Sequence, residues 1–419
     1  MSWLVVLREA NWLTPARARA YGAILLAFSA LAIVVLLASG LVNGGLDPFG
    51  KPVGTDFRSF WAASRLSLAG RAADAYQLEA GYRVQQAMFP AASLGRLAFL
   101  YPPPFLLVCL PLALAPYLMS LMLWAAATFS LMLGSLSRWL RQPGATLALL
   151  AYPAVFTTLA HGHNAFLTTA LLATGALSTS RRPWRSGAAL GALIIKPHLG
   201  PVLPFALLAR RQWKAFAAAG LAAGGLCAVS YLVFGPGVWT GFIASGPLAR
   251  TILEQGLDGN QRLQSAFAGV RLLGGGVALA WIVQGCVAIT VIGAMVFTLA
   301  RTRSDEACGA VMACAAMLAS PYLMDYDLML GAIPLLWLFD QAGRTGFLAY
   351  EKSVMTVAFA LPLFSRSIAA GLHMPLGPFV LAALMAVCVR RALALDADCV
   401  RSRDEEQADP ALRAPVSAA

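Results

Sequence analysis

The chain is 419 residues long, 59% hydrophobic and only 12% charged, with 31 Lys+Arg against 19 Asp+Glu and a mean hydropathy of +0.71. A soluble domain carries about 25% charged residues and ~45–50% apolar ones. This composition therefore excludes a soluble enzyme, a coiled coil, a disordered chain and a single-span anchored domain.

At ~20 residues per crossing the apolar residues supply about a dozen spans. The predicted fold class is an all-α polytopic integral membrane protein. The formal charge of +12 is not a nucleic-acid footprint. Its cations sit in short clusters between apolar runs, among them Arg138/Arg141, Arg181/Arg182/Arg185, Arg210/Arg211/Lys214 and Arg390/Arg391. That is the pattern of cytoplasmic loops under the positive-inside rule, so no nucleic-acid partner is expected. Seven scattered cysteines, an odd count without CxxC spacing, read as small apolar packing residues rather than a disulfide or zinc framework.

Residues 1–22 read as a cytoplasmic N-terminal segment, and 23–42 as an uncleaved first span without a small-residue cleavage site. The polar stretch 43–98 follows as a first external loop, its aromatics at the spacing of short interfacial helices. Residues 99–136 are broken by Pro111 and Pro116 and make one net crossing, part of it short or re-entrant. A hairpin of 146–159 and 165–177 places His161-Gly162-His163-Asn164 at its outer tip. Residues 187–209, broken at Lys196-Pro197-His198 between two basic loops, form a second hairpin. Irregular backbone at such depth is tolerated only against protein or a cavity.

Residues 216–234 cross outward to a second external loop, 235–271, and spans follow at 277–300, 307–323, 328–339, 354–370 and 376–389. This gives about 10–13 transmembrane or re-entrant helices in one domain, 23–394, with no transporter-like internal repeat. Both termini fall on the cytoplasmic side. The charged, Ala/Pro-rich tail 395–419 reads as disordered.

Ionisable groups at depth or on the outer side are functional candidates, because burying charge in a membrane is expensive. Asp56, in Gly54-Thr55-Asp56-Phe57-Arg58, lies just beyond the first span. A loop carboxylate there can take a proton from a sugar hydroxyl as general base. It is equally a favoured helix N-cap. Lys196, between Ile195 and Pro197, must find an anion or water; it either neutralises a lipid phosphate or is paired within the protein. His163 and Asn164 at the hairpin tip suit a phosphate or sugar or are polar loop residues, and Asp325 and Asp327 flank Tyr326 at a membrane mouth as ligands of a sugar or a cation or as helix-end residues. No metal-ligand spacing is present among the histidines, and no cofactor is expected.

At these residues the chain resembles glycosyltransferase family 87, the polyprenyl-phosphate-mannose-dependent α-mannosyltransferases of the GT-C superfamily. The resemblance runs through Gly54-Thr55-Asp56-Phe57, Phe60-Trp61-Ala62-Ala63, Ala75-Tyr76, Phe99-Leu100-Tyr101-Pro102-Pro103, Pro111 to Pro116, and Trp124. It continues in Gly162-His163-Asn164, Lys196-Pro197, Asn260-Gln261-Arg262 with Ser265, and Ser320-Pro321. His163 stands where members carry Gln, and Asp325/Asp327 where a Trp and a His would follow the Ser-Pro.

The resemblance implies a GT-C helical bundle, a polyprenyl-phosphate-linked sugar donor and a glycolipid or glycan acceptor. It also implies inverting transfer at the outer face of a bacterial inner membrane, with Asp56 as general base. Lys196 becomes the candidate for the departing phosphate, assisted by Arg262 or His163. Asn164, Asn260, Gln261, Asp325, Asp327 and Tyr101 join as substrate-binding candidates. A glycan polymerase or ligase using lipid diphosphates, and a transporter or flippase, are the alternatives.

Overall fold

The computed structural model describes residues 3–408, with side chains through residue 395. Among the described residues the chain is all-helical, and its pairing outside helices is confined to two isolated antiparallel bridges, Leu46–Pro52 and Leu263–Met324. Among the described residues six helices are long and apolar enough to cross a membrane: Pro15–Val42, Tyr117–Leu140, Trp213–Phe234, Val277–Arg301, Glu351–Leu372 and Leu376–Leu395 within the last helix. These helices leave Phe28, Leu31, Leu221, Leu232, Ile282, Ile289 and Phe364 exposed. So much outward-facing grease marks a lipid-contacting surface rather than a soluble one. The chain is a multi-pass membrane protein.

Shorter helices fill the spaces between these spans, as the proline breaks predict. The run through 99–136 divides into Pro103–Cys109, a 3-10 turn at Leu112–Leu114 and the long Tyr117–Leu140. The first hairpin is built from Ala145–Ala151, Pro153–His161 and Ala165–Ala176. The second is Pro183–Gly191 and Val202–Ala209, joined through 3-10 turns at Ala192–Ile195 and Pro197–Leu199, with Lys196 between them. Here Gly187 and Gly191 let two backbones touch. A Cβ on either would sit 2.1 or 2.2 Å from the carbonyl oxygens of Ala215 and Ala219. Small residues four apart are a common close-approach device between helices in membranes.

The helix Asp305–Ala319 runs through the centre, buried at every position from Ala307 to Leu318. Its Ala, Gly and Cys side chains admit close neighbours on all sides, and Leu172, Ala173, Met295, Trp337 and Cys388 belong to the same core. Ser304 caps its start by accepting from Ala307 N. Ser320-Pro321 ends it earlier than hydropathy suggests, because proline cannot continue the hydrogen-bond ladder and restricts the residue before it.

Two further boundaries differ from the expectation. The first span begins at Pro15 rather than residue 23, because Thr14 accepts from Arg17 N as N-cap and Pro15 suits the first helical position. The final helix continues through Ala408, so helix covers the first part of the tail for which composition predicts disorder. Residues 409–419 lie outside the described residues.

Candidate functional site

Asp56 is held where the first loop meets the tip of the first hairpin. Gly54 N donates to Ala160 O (3.2 Å) and Asp56 N to His161 O (3.1 Å), while Thr55 Oγ1 shares a 2.6 Å hydrogen bond with His161 Nδ1. Tyr117 OH donates to both Val53 O and Gly54 O. The tip fits because Gly162 has φ +62°; a Cβ there would lie 2.6 Å from Leu121 Cδ1 and 2.7 Å from Phe57 Cβ. Trp124 Nε1 donates to its carbonyl (3.2 Å).

Asp56 occupies the N-cap position of Phe57–Leu68, but its side chain makes no capping hydrogen bond. The carboxylate turns instead to Arg262, with Oδ2 4.0 Å from Nη2 and the two side chains 15% and 20% exposed. Burial pushes the Asp56 carboxyl up to about 6, helped by the Asp258 charge and opposed first by Arg262, then by Arg58 and Lys196.

Arg262 is delivered by the second loop, which is zipped to the segment after Ser320-Pro321. Leu263 bridges Met324, Gln264 N donates to Leu323 O (2.7 Å), and Tyr322 OH donates to Asp258 Oδ2. Burial alone would weaken the hold of Arg262 on its proton; the Asp56, Asp325, Tyr326 and Asp258 charges outweigh it and strengthen that hold. Asp325 Oδ2 is also 3.9 Å from Arg366 Nη1.

A second, deeper layer surrounds Lys196. Its ammonium, 3% exposed, is ion-paired with the fully buried Asp327, donates to Asn164 Oδ1 (3.3 Å) and sits 5.2 Å over the Tyr326 ring. His163 stacks on that ring at 3.4 Å and shares a 2.8 Å hydrogen bond with Tyr101 OH through Nε2. Asp327 Oδ2 accepts from Met324 N, and His198 Nε2 stays 3.9 Å away from it. Three buried polar atoms at this layer, His163 Nδ1, Asn164 Nδ2 and His198 Nε2, have no hydrogen-bond partner within the protein.

The fold thus brings together Asp56, Tyr101, His163, Asn164, Lys196, Arg262, Asp325 and Asp327. Lys196 has an internal partner in Asp327. Asn260 and Gln261 fold back over Gly256 and Gly259 of their own loop, and Asn260 Oδ1 is buried without a partner. Sequence reasoning passed over Tyr322 and Tyr326 as site residues. Aromatics interleaved with carboxylates after Ser320-Pro321 were the available signal.

The sequence model of glycosyltransferase family 87 matches residues 99–321, just over half of the chain. The matched stretch contains Tyr101, His163, Asn164, Lys196 and Arg262, while Asp56, Asp325 and Asp327 fall outside it. No curated protein matches the chain, and no solved structure does.

Proposed function

Because the chain belongs to glycosyltransferase family 87 and is therefore a membrane glycosyltransferase, we propose that it moves a hexose, mannose by family resemblance, from a polyprenyl-phosphate donor to a glycolipid or glycan acceptor, with Asp56 as general base. The reaction faces the exterior, on the side opposite the basic loops. Asp56 Oδ takes the proton of the acceptor hydroxyl as that oxygen attacks the anomeric carbon. The bond from that carbon to the phosphate oxygen breaks, and its electron pair leaves with the polyprenyl phosphate. Attack opposite the leaving group inverts the centre and needs only one carboxylate as base.

The observation that carries the reading is the Asp56 carboxylate itself. It forms no cap, is largely buried, faces a guanidinium and is raised to about 6, a value suited to a base working near neutrality. Arg262 takes the role of stabilising the departing phosphate, whose charge grows in the transition state. Lys196, matched by Asp327, becomes a positioning residue that holds Tyr326 and with it His163. His163 Nδ1 and Asn164 Nδ2, buried and unpartnered, are suited to sugar hydroxyls.

The test is incubation of purified protein with a panel of lipid-linked sugars and identification of the product by mass spectrometry. Asp56→Asn should lower transfer at least a hundredfold while the protein stays folded. Near-normal transfer by that variant, or a diphosphate donor as the one accepted, overturns the reading.

A further inference from the structure

We propose that Arg262 changes partner during each turnover: it rests against Asp56 in the empty enzyme and moves to the donor phosphate when the donor binds, so that one side chain both captures the donor and releases the base. This inference rests on the donor class and base proposed above.

The geometry around Arg262 is that of a loose hold. Nη2 is 4.0 Å from Asp56 Oδ2, well outside the ~2.7–2.9 Å of a charge-assisted hydrogen bond. The Nε–H is buried without any partner, so the guanidinium has donors to spare. Its backbone, by contrast, is fixed: the Leu263–Met324 bridge and the Gln264–Leu323 hydrogen bond follow immediately. The side chain can therefore turn without moving the loop.

Competition decides where it turns. The other carboxylates near Arg262 accept hydrogen bonds from elsewhere, Asp258 from Tyr322 OH and Asp325 from Tyr326 N. Asp56 has no hydrogen bond to its carboxylate among the described residues, and the charges facing it are Arg262 and Asp258 from the second loop, Arg58 on its own helix, Lys196 from the second hairpin and Asp325 after Ser320-Pro321. A phosphate offers the paired oxygens that a guanidinium binds in bidentate fashion. Once Arg262 engages it, Asp56 keeps its burial, loses its strongest opposing cation and gains an anion nearby. Each change makes it a better base. The ionised carboxylate is thus a stronger base when a donor is in place, although near pH 6.5 a smaller fraction of it is ionised, and the leaving phosphate finds its cation already attached.

The experiment is titration calorimetry of the full-length protein with a long-chain polyprenyl monophosphate in detergent at pH 6.5. Two buffers of different ionisation enthalpy count the protons exchanged. The phosphate titrates in this range too, so Asp56→Asn serves as the reference. Wild type should take up about half a proton more than Asp56→Asn on binding. Arg262→Gln should bind at least tenfold more weakly and, at saturation, show a smaller excess, because only the phosphate charge is left to raise Asp56. Arg262→Lys, which keeps the charge should the glutamine variant misfold, should bind with an intermediate affinity. Equal proton counts in wild type and Asp56→Asn, or wild-type affinity in both Arg262 variants, overturn the exchange and leave the donor class intact. Failure of wild type to bind the lipid overturns the donor class and the exchange together.

Discussion

Replacing Asp56 by Asn keeps the side chain's shape and removes its charge, and the structure sets the sign of the result. Burial raises this carboxyl from 3.8 to about 6 even with Arg262 pulling the other way. A folded-state value above the unfolded one means that the native protein holds the proton more tightly. Ionising Asp56 therefore weakens the fold, with a penalty absent below pH 3.8, growing between 3.8 and about 6, and constant above that. At about 1.4 kcal/mol for each tenfold change in proton affinity, the full penalty is about 3 kcal/mol. The Arg262 attraction is already contained in that figure, and solvent at the 15% exposed side chain screens part of it. Asp56→Asn is expected to be about 1–3 kcal/mol more stable than wild type at pH 7, and equal to it near pH 4. Thermal unfolding in one detergent, followed by tryptophan fluorescence at both pH values, measures the difference. A capping role predicts otherwise: Asn caps as well as Asp, and Asp56→Ala would lose about 1 kcal/mol. A variant less stable than wild type at pH 7, or a gap that ignores pH, refutes the argument that Asp56 is a strained functional group.

Because the base works only when ionised, donor kcat/KM should fall about tenfold between pH 7 and pH 5, with its midpoint near 6; equal rates at the two pH values would remove Asp56 from the chemistry. Lys196→Met strands the buried Asp327 and should lower stability by about 3–5 kcal/mol, with much of the loss recovered in the Lys196→Met/Asp327→Asn double variant. Unfolding of the three proteins in detergent decides the matter, and a single variant as stable as wild type would show that the pair carries no weight. Gly162→Ala places a methyl within 2.7 Å of Leu121 and Phe57 at a positive φ, so it should displace the Asp56 loop and lower transfer at least tenfold with membrane insertion retained. Unchanged turnover would mean that the hairpin tip does not position the base.

Hydropathy and proline punctuation revealed the six long apolar helices, because both act locally, whereas the spans expected at 307–323 and 328–339 are the shorter helices Asp305–Ala319 and Ala332–Thr345. The breaks at Pro111, Pro116, Pro197 and Pro321 all appear in the structure as helix ends or 3-10 turns. The start of the first span was misplaced since Thr14-Pro15, a polar cap and an imino acid, carries no hydropathy. Much of the site was equally visible as isolated charges, but their partners were not. Nothing in the local pattern around Lys196 points to Asp327, and nothing around Arg262 points to Asp56. Those pairings depend on how hairpins and loops dock, which is a property of the packed core. The cap-or-base choice at Asp56 stayed open in the sequence for the same reason: only the direction of its side chain distinguishes the two.

Lys196 and Asp327 are separated by 131 residues, and this distance orders the making of the protein. At about 5–20 residues per second, the ribosome leaves the lysine waiting on the order of ten seconds before its aspartate exists. The hairpin that bears it must spend that interval with an unmatched charge at the bilayer, kept wet or shielded by the insertion machinery. Final seating of the early segments is therefore a late event in biogenesis, and truncation before Asp327 should yield nascent chains with this hairpin still accessible to water.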